Sequence, residues 1–187
     1  RAVEGAGVVF VGPGHDCIAR LGDKIAARTL AIAAGVAVIP GWNAAISSRD
    51  EAVRVCRELG YPVMLKASAG GGGRGLRIVH EEAELPHAFD ACRSEALLSF
   101  GDDRVFAERL VPNARHVEVQ VLADGFGNCI HLWERECSIQ RRHQKLIEEA
   151  PCAFLEETTR LRMCEQAVAL ARAAGYRSAG TVEFLVG

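Results

Sequence analysis

Short apolar runs punctuated by glycine and proline alternate with amphipathic stretches along the chain. Residues 8–11 form an apolar run closing in Gly12-Pro13-Gly14, which predicts a strand and a turn. Residues 16–34 have helical composition broken at Gly22-Asp23, so two helices are expected. The second would open on Asp23 as N-cap, run over 24–34 and stop at Gly35. Residues 35–39 read as a strand ending at Pro40-Gly41. Ser48, with Glu51 three residues on, is a capping-box pattern opening a helix over 49–59, and Gly60 stops it. A strand holding Val63, Met64 and Leu65, a glycine loop, and a strand holding Leu76, Ile78 and Val79 come next. A helix from about 82 to 98 and a strand at 105–108 follow. In 115–121, Val117, Val119 and Val121 alternate with polar residues, the mark of a half-buried antiparallel strand. Residues 124–128 turn it back into a strand over 129–136; a helix over 156–174, stopped by Gly175, precedes a last strand at 181–186. Hairpins interleaved with helices predict an α+β fold.

The glycine loop changes the picture from fold to chemistry. Gly70, Gly71, Gly72, Gly73 and Gly75 are separated only by Arg74. Each costs about 0.5–1 kcal/mol relative to alanine in regular structure, so the loop needs a reason to exist. Glycines let backbone N–H groups approach an anion closely, and Lys66 and Arg74 add positive charge. A lid closing over a polyphosphate explains this better than a flexible linker, because the loop sits between two runs that can pair as a hairpin. No lysine and Ser/Thr follow the last glycine, so the loop is not a P-loop, and no helix opens on it, so it is not a Rossmann turn.

A net charge of -2 with 49% hydrophobic residues describes an ordinary globular chain and argues against wholesale nucleic-acid binding. Any anion site must therefore be a local concentration of Lys and Arg. No apolar run has membrane-spanning length. The seven cysteines are odd in number and form no Cys-x-x-Cys pair, which predicts reduced thiols rather than disulfides or a zinc site. Lys24, in the first turn of its helix, opposes the macrodipole; a solvated lysine and a phosphate ligand both fit. Residues 140–145 concentrate Gln140, Arg141, Arg142, His143 and Lys145, flanked by Glu134 and Glu136 before and by Glu148 and Glu149 after. Signs that alternate so densely fit a folded site where carboxylates orient cations around a small anion.

Lys-Ala-Ser-Ala-Gly-Gly-Gly-Gly-Arg-Gly at 66–75, Arg-His-Val-Glu-Val-Gln-Val at 115–121, Glu-Arg-Glu-Cys-Ser-Ile-Gln-Arg-Arg-His-Gln-Lys at 134–145, Glu-Glu-Ala-Pro at 148–151 and Ala-Gly-Thr-Val-Glu-Phe-Leu at 179–185 occur in order along nearly the whole chain. In these motifs the chain resembles the biotin carboxylase members of the ATP-grasp superfamily. Residues 99–104 and 165–173 are most similar to acyl-CoA carboxylases of the propionyl-CoA kind, while 31–36 and 94–97 lean towards pyruvate carboxylase. The resemblance implies an ATP-grasp fold fragment in three parts. These are the end of an N-terminal subdomain with connecting helices at 1–40, the glycine-rich lid at 41–110, and the start of the C-terminal antiparallel sheet at 111–187.

The resemblance also assigns roles. It implies that Lys24, Lys66, Gly72 and Gly73 hold the ATP phosphates and that Glu108, Arg109, Leu110 and Val111 read adenine, largely through backbone groups. His116, Gln140 and His143 would lie near ribose and base, Lys145 would contact bicarbonate, and Glu183 would bind ATP-associated Mg²⁺ or Mn²⁺. The implied reaction is phosphorylation of bicarbonate to carboxyphosphate and carboxylation of biotin on a carrier domain. A carboxyltransferase domain or subunit would be the further partner, in a homo-oligomer, with neither nucleic acid nor membrane involved. The implied compartment is the cytoplasm, or the mitochondrial matrix in a eukaryote. A second metal carboxylate, an asparagine and an arginine expected after Glu183 are not in this sequence, so a fragment is expected that binds ATP poorly and turns nothing over.

Overall fold

The computed structural model describes residues 1–141 and 144–187. Helix α1 (Ala2–Gly5) is followed by α2 (His15–Gly22) and α3 (Lys24–Ala33). Asp23 caps α3 as expected, its Oδ1 accepting from the Ala26 N–H at 2.9 Å. Residues 8–11 and 35–39 are not strands. Val9 and Val11 are exposed, and strand propensity without a neighbouring strand leaves an extended segment.

Helix α4 (Arg49–Leu59) begins at Ser48, whose Oγ accepts from the Glu51 N–H at 3.2 Å. The reciprocal half of the capping box is displaced by one residue, because the Glu51 carboxylate accepts from the N–H and hydroxyl of Ser47. Strands β1 (Val63–Ala67), β2 (Leu76–Val79) and β3 (Val105–Arg109) form an antiparallel sheet in the order β2-β1-β3. Period-2 alternation divides β1. Val63 and Leu65 enter a core with Val55 and Cys56 of α4 and with Leu85 and Phe89 of α5 (Leu85–Phe100), while Met64 and Lys66 face the other way. The β1–β3 register pairs Met64 with Glu108 and Lys66 with Phe106, so Glu108 and Lys66 share that opposite face.

Strands β4 (Arg115–Ala123), β5 (Cys129–Arg141), β6 (Gln144–Glu149) and β7 (Ser178–Val186) make a second antiparallel sheet in the order β6-β5-β4-β7. Its core face carries Val117, Val119, Val121, Val182 and Phe184 against Met163, Cys164 and Ala167 of α6 (Glu157–Ala174). The expected strand over 129–136 continues to Arg141 and returns as β6, which the charged sequence concealed. All seven cysteines are buried free thiols, so no disulfide contributes. Among the described residues no helix is long and apolar enough to cross a membrane.

The glycines of the loop are not equivalent. Gly75 has φ +67°, and a Cβ there would lie 2.6 Å from the Ala67 Cβ at the root of the hairpin. Gly71 has open space and no positive φ. Gly75→Ala is expected to cost about 2 kcal/mol and lower Tm by several degrees. Gly71→Ala is expected to stay within about 0.5 kcal/mol. Thermal unfolding of the two variants checks the contrast.

Candidate functional site

The polar faces of the two sheets look onto a cleft of about 580 Å³ lined by Lys66 from one and by His116, Glu183 and Leu185 from the other. Residues 36–40, together with Val111 and Phe184, line it as well. At the Lys66 end, α3 delivers Lys24, whose Nζ donates to the carbonyl of Gly70 at the base of the glycine loop. Burial, and after it the repulsion of the Lys66 ammonium, hold the Lys24 amine below the usual lysine range. Two cations held near one another in a partly desolvated place favour an anion between them.

Glu108 organises this end. It is 7% exposed, its Oε1 accepts from Arg28 Nη1 at 2.8 Å, and its Oε2 accepts from Lys66 Nζ. Its side chain is thus committed to aiming a lysine, not to reading a base. The Arg109 N–H donates to Pro40 O at 2.8 Å and the Leu110 N–H to Pro62 O at 3.0 Å. Those two donors are used by the fold, and Val111 is the member of the 108–111 segment that lines the cleft. Gly72 and Gly73 both have left-handed φ, 59° and 77°, which glycine adopts without strain.

The other end is a network on the polar face of the second sheet. Lys145 donates to Glu118 and to Glu183, residues directly opposite each other in the β4–β7 register. Arg135 donates to Glu118, to the Gln120 amide oxygen at 3.1 Å and, through Nε, pairs with Glu148 at 3.0 Å. Like charges opposite one another destabilise a ladder unless a cation stands between them. Burial works against ionisation of Glu118, yet hydrogen bonds from Lys145 and Arg135 outweigh it and leave the carboxyl below its usual value. Burial likewise lowers the Lys145 amine, and the two carboxylates more than reverse that, raising it.

Lys66, Val111, His116 and Glu183 thus line one cleft, Glu108 and Lys24 standing behind Lys66 and Lys145 behind Glu183. Gln140 is not among them: its Nε2 donates to the Cys137 carbonyl at 2.9 Å. His143 lies outside the described residues. The acids flanking the basic run divide between faces. Glu148 serves Arg135, whereas Glu134 turns to α6 and accepts from Arg160 at 2.8 Å. Burial pushes the Cys137 thiol up to about 11, which makes it unreactive. Sequence reading overlooked Arg28, Glu118 and Arg135. The available signals were the four-residue spacing from Lys24 to Arg28 on one helix face, and the alternation that places Glu118 on the polar side of β4.

ATP fits what is present: a cleft of suitable size with paired lysines beneath a glycine hairpin. For a metal the donor set is thin. Among the described residues no group of three or more His, Cys, Asp or Glu side chains converges, and Glu183 offers one exposed carboxylate engaged with Lys145.

Two antiparallel sheets facing each other across such a cleft, one carrying a glycine-rich hairpin, define an ATP-grasp domain. The chain belongs to the family described as "Carbamoyl-phosphate synthase L chain, ATP binding domain", which matches residues 23–187. It is 55% identical over 186 residues to a propionyl-CoA carboxylase alpha chain of Ruegeria pomeroyi, covering 100% of this chain and 27% of the relative. It is 52% identical to a biotin carboxylase of Halalkalibacterium halodurans, covering 100% of this chain and 41% of the relative. The chain therefore spans less than half the length of either. The crystal structure of a Campylobacter jejuni biotin carboxylase-βγ-ATP complex superimposes with a TM-score of 0.96 at 48% identity, covering 99% of this chain and 42% of that one. A biotin carboxylase domain dimer of Hydrogenobacter thermophilus 2-oxoglutarate carboxylase, in complex with MgADP, ADP and bicarbonate, gives 0.94 at 44%, covering 99% of this chain and 41% of that one.

Glu118→Gln leaves Lys145 and Arg135 facing a neutral amide and is expected to cost about 2–3 kcal/mol, less than for a fully buried pair because both cations are partly solvated. A depressed carboxyl stabilises above its unfolded value and a raised amine below its own. The difference between wild type and variant should therefore hold from about pH 4.5 to 10.5, the ordinary values of a glutamate and a lysine. It should shrink as the folded Glu118 protonates at lower pH or Lys145 deprotonates at higher pH. Denaturant unfolding across pH measures it.

Proposed function

We propose that this chain is the ATP-holding part of a biotin-dependent carboxylase, in which bicarbonate is phosphorylated by ATP to carboxyphosphate and CO₂ is passed to biotin on a carrier. The observation that carries the reading is the pair Lys24 and Lys66, close enough for their charges to repel, with Lys24 on the Gly70 carbonyl at the root of the glycine hairpin and Lys66 on the cleft wall. A cation about 4 Å from a phosphate charge is worth about 4 kcal/mol at an effective dielectric of about 20, before desolvation is subtracted. Two such lysines with mobile glycine N–H groups give the scale needed to gather a triphosphate.

The division of labour follows the geometry. Lys24 and Lys66, with Gly72 and Gly73 above, take the phosphates; Val111, His116 and the apolar residues 36–40 form the base and ribose end; Lys145 takes bicarbonate. Arg109 and Leu110 contribute through backbone groups; Gln140 and His143 are assigned to ribose and base by the resemblance alone, His143 lying outside the described residues. Glu183 supplies one carboxylate to a metal whose remaining ligands come from phosphate and other groups, which predicts weak metal binding by these 187 residues alone. Residues 1–40, 41–110 and 111–187 act as connecting helices, lid and C-terminal sheet. The acyl acceptor suggested by relatives at about half identity is propionyl-CoA, selected by a separate carboxyltransferase. The compartment would be the cytoplasm or mitochondrial matrix, with a homo-oligomeric assembly.

In the full-length protein, ATP hydrolysis should require bicarbonate and rise with free biotin; phosphate release indifferent to both would overturn the proposal and favour another ligase of the ATP-grasp class. Lys66→Ala should weaken ADP binding by about tenfold to a hundredfold. A second outcome concerns protons. Because Lys24 is depressed in the free protein, an arriving phosphate raises its affinity for protons. ADP binding should take up protons on the alkaline side and weaken as pH climbs. Calorimetry in buffers of different ionisation enthalpy reads the uptake, and Lys24→Met should abolish it.

A further inference from the structure

Arg28 is 8% exposed, one turn beyond Lys24 on α3, and its guanidinium is spent entirely inside the protein. Nη1 donates to Glu108 at 2.8 Å and Nε donates to Asn43 Oδ1 at 2.6 Å. Glu108 gives its other oxygen to Lys66. Glu108 cannot retreat, because Gly41 packs so closely that a Cβ there would lie 2.8 Å from its Cγ. A Lys66–Glu108 pair without Arg28 would be electrically complete, with only Lys24 left to meet an anion. With Arg28 present, Arg28 and Lys66 share the carboxylate and Lys24 stands near them; Asp23, the other acid beside Lys24, is paired with Arg104, so the three cations keep a surplus of two positive charges over Glu108, with Lys66 on the cleft wall.

We infer that Arg28 is a positioning residue for the phosphate end of the site. It holds the Glu108 carboxylate in a fixed orientation and offsets its charge, so that Lys66 is aimed by Glu108 without being neutralised by it. A guanidinium suits the task because it stays protonated in any environment and grips two acceptors in a fixed plane. Arg28 touches neither base nor phosphate, so its effect must scale with the charge of the ligand. A residue that merely tied α3 to β3 would affect all ligands alike. The inference rests on the nucleotide reading and adds to it a residue that acts through another.

The test measures binding of adenosine, ADP and ATP to the full-length wild-type protein and to its Arg28→Met, Arg28→Lys and double Arg28→Met/Glu108→Gln variants, with thermal unfolding run alongside. Arg28→Met is expected to weaken ADP and ATP by about tenfold and to leave adenosine within twofold. Arg28→Lys should recover much of the loss. The double variant removes one positive and one negative charge, restores the surplus of two, and should bind ADP better than Arg28→Met does. Equal losses for adenosine and ADP, or an unchanged ADP affinity in Arg28→Met, would overturn the inference alone. If Arg28→Met does not fold, an Arg28→Lys variant that weakens adenosine and ADP equally, or a double variant that binds ADP no better than Lys66→Ala, overturns it as well. Wild-type protein that binds neither ADP nor ATP would overturn the nucleotide reading and this inference together.

Discussion

A carboxylate removed from water is tolerable only when its charge is met, and Glu108 is met from two directions, by Arg28 of a helix and Lys66 of the neighbouring strand. That requirement joins α3, β1 and β3, three segments far apart in sequence. It fixes where α3 can lie against the first sheet, and hence where Lys24 emerges. The lysines are therefore placed by the internal electrostatics of the fold rather than by any ligand. A site organised in this way is ready before anything binds, which lowers the ordering cost that binding would otherwise carry.

The second sheet solves the opposite problem. Glu118 and Glu183 are cross-strand neighbours of like sign, and Lys145 stands between them while Arg135 supports the buried member. One end of the cleft thus holds excess positive charge around a single acid, and the other holds acids bridged by cations. An anion is drawn to the first end, while a cation competing for Glu183 would release Lys145 towards the cleft. The polarity runs along the direction in which a nucleotide with its charged tail would lie.

Much of this was legible in the sequence. Asp23, Ser48, Gly60 and Gly175 marked helix ends through local chemistry that tertiary packing did not override, and the alternation in 115–121 named both faces of β4. The strands expected at 8–11 and 35–39 did not form, because apolar β-branched residues state a preference that only a neighbour can satisfy. Strand β6 was hidden because all its residues but the half-buried Lys145 are exposed, so it carries no period-2 signal. At the site, the motifs pointed to Lys24, Lys66, Lys145 and Glu183, residues on the cleft wall or next to it. Arg28, Glu118 and Arg135 act behind them. Such supporting residues follow from three-dimensional charge pairing, and their spacing in the chain records little of it. Gln140 illustrates the converse, a residue in the right motif whose amide is used locally.

Asp23 does more than begin a helix. Besides capping α3, its carboxylate accepts from the Ser68 hydroxyl at 2.9 Å and pairs with Arg104 at 2.8 Å, while the main chain of Ser68 is bonded on one side to Lys24 and on the other to Arg104. Ser68 is consequently bolted to the body, Gly70 and Gly75 are tied down beside it, and only the span from Gly71 to Arg74 between them is left without such anchors. Any movement of that span would resemble a curtain drawn across a fixed window: the fabric can travel, whereas the charged frame around it keeps its place.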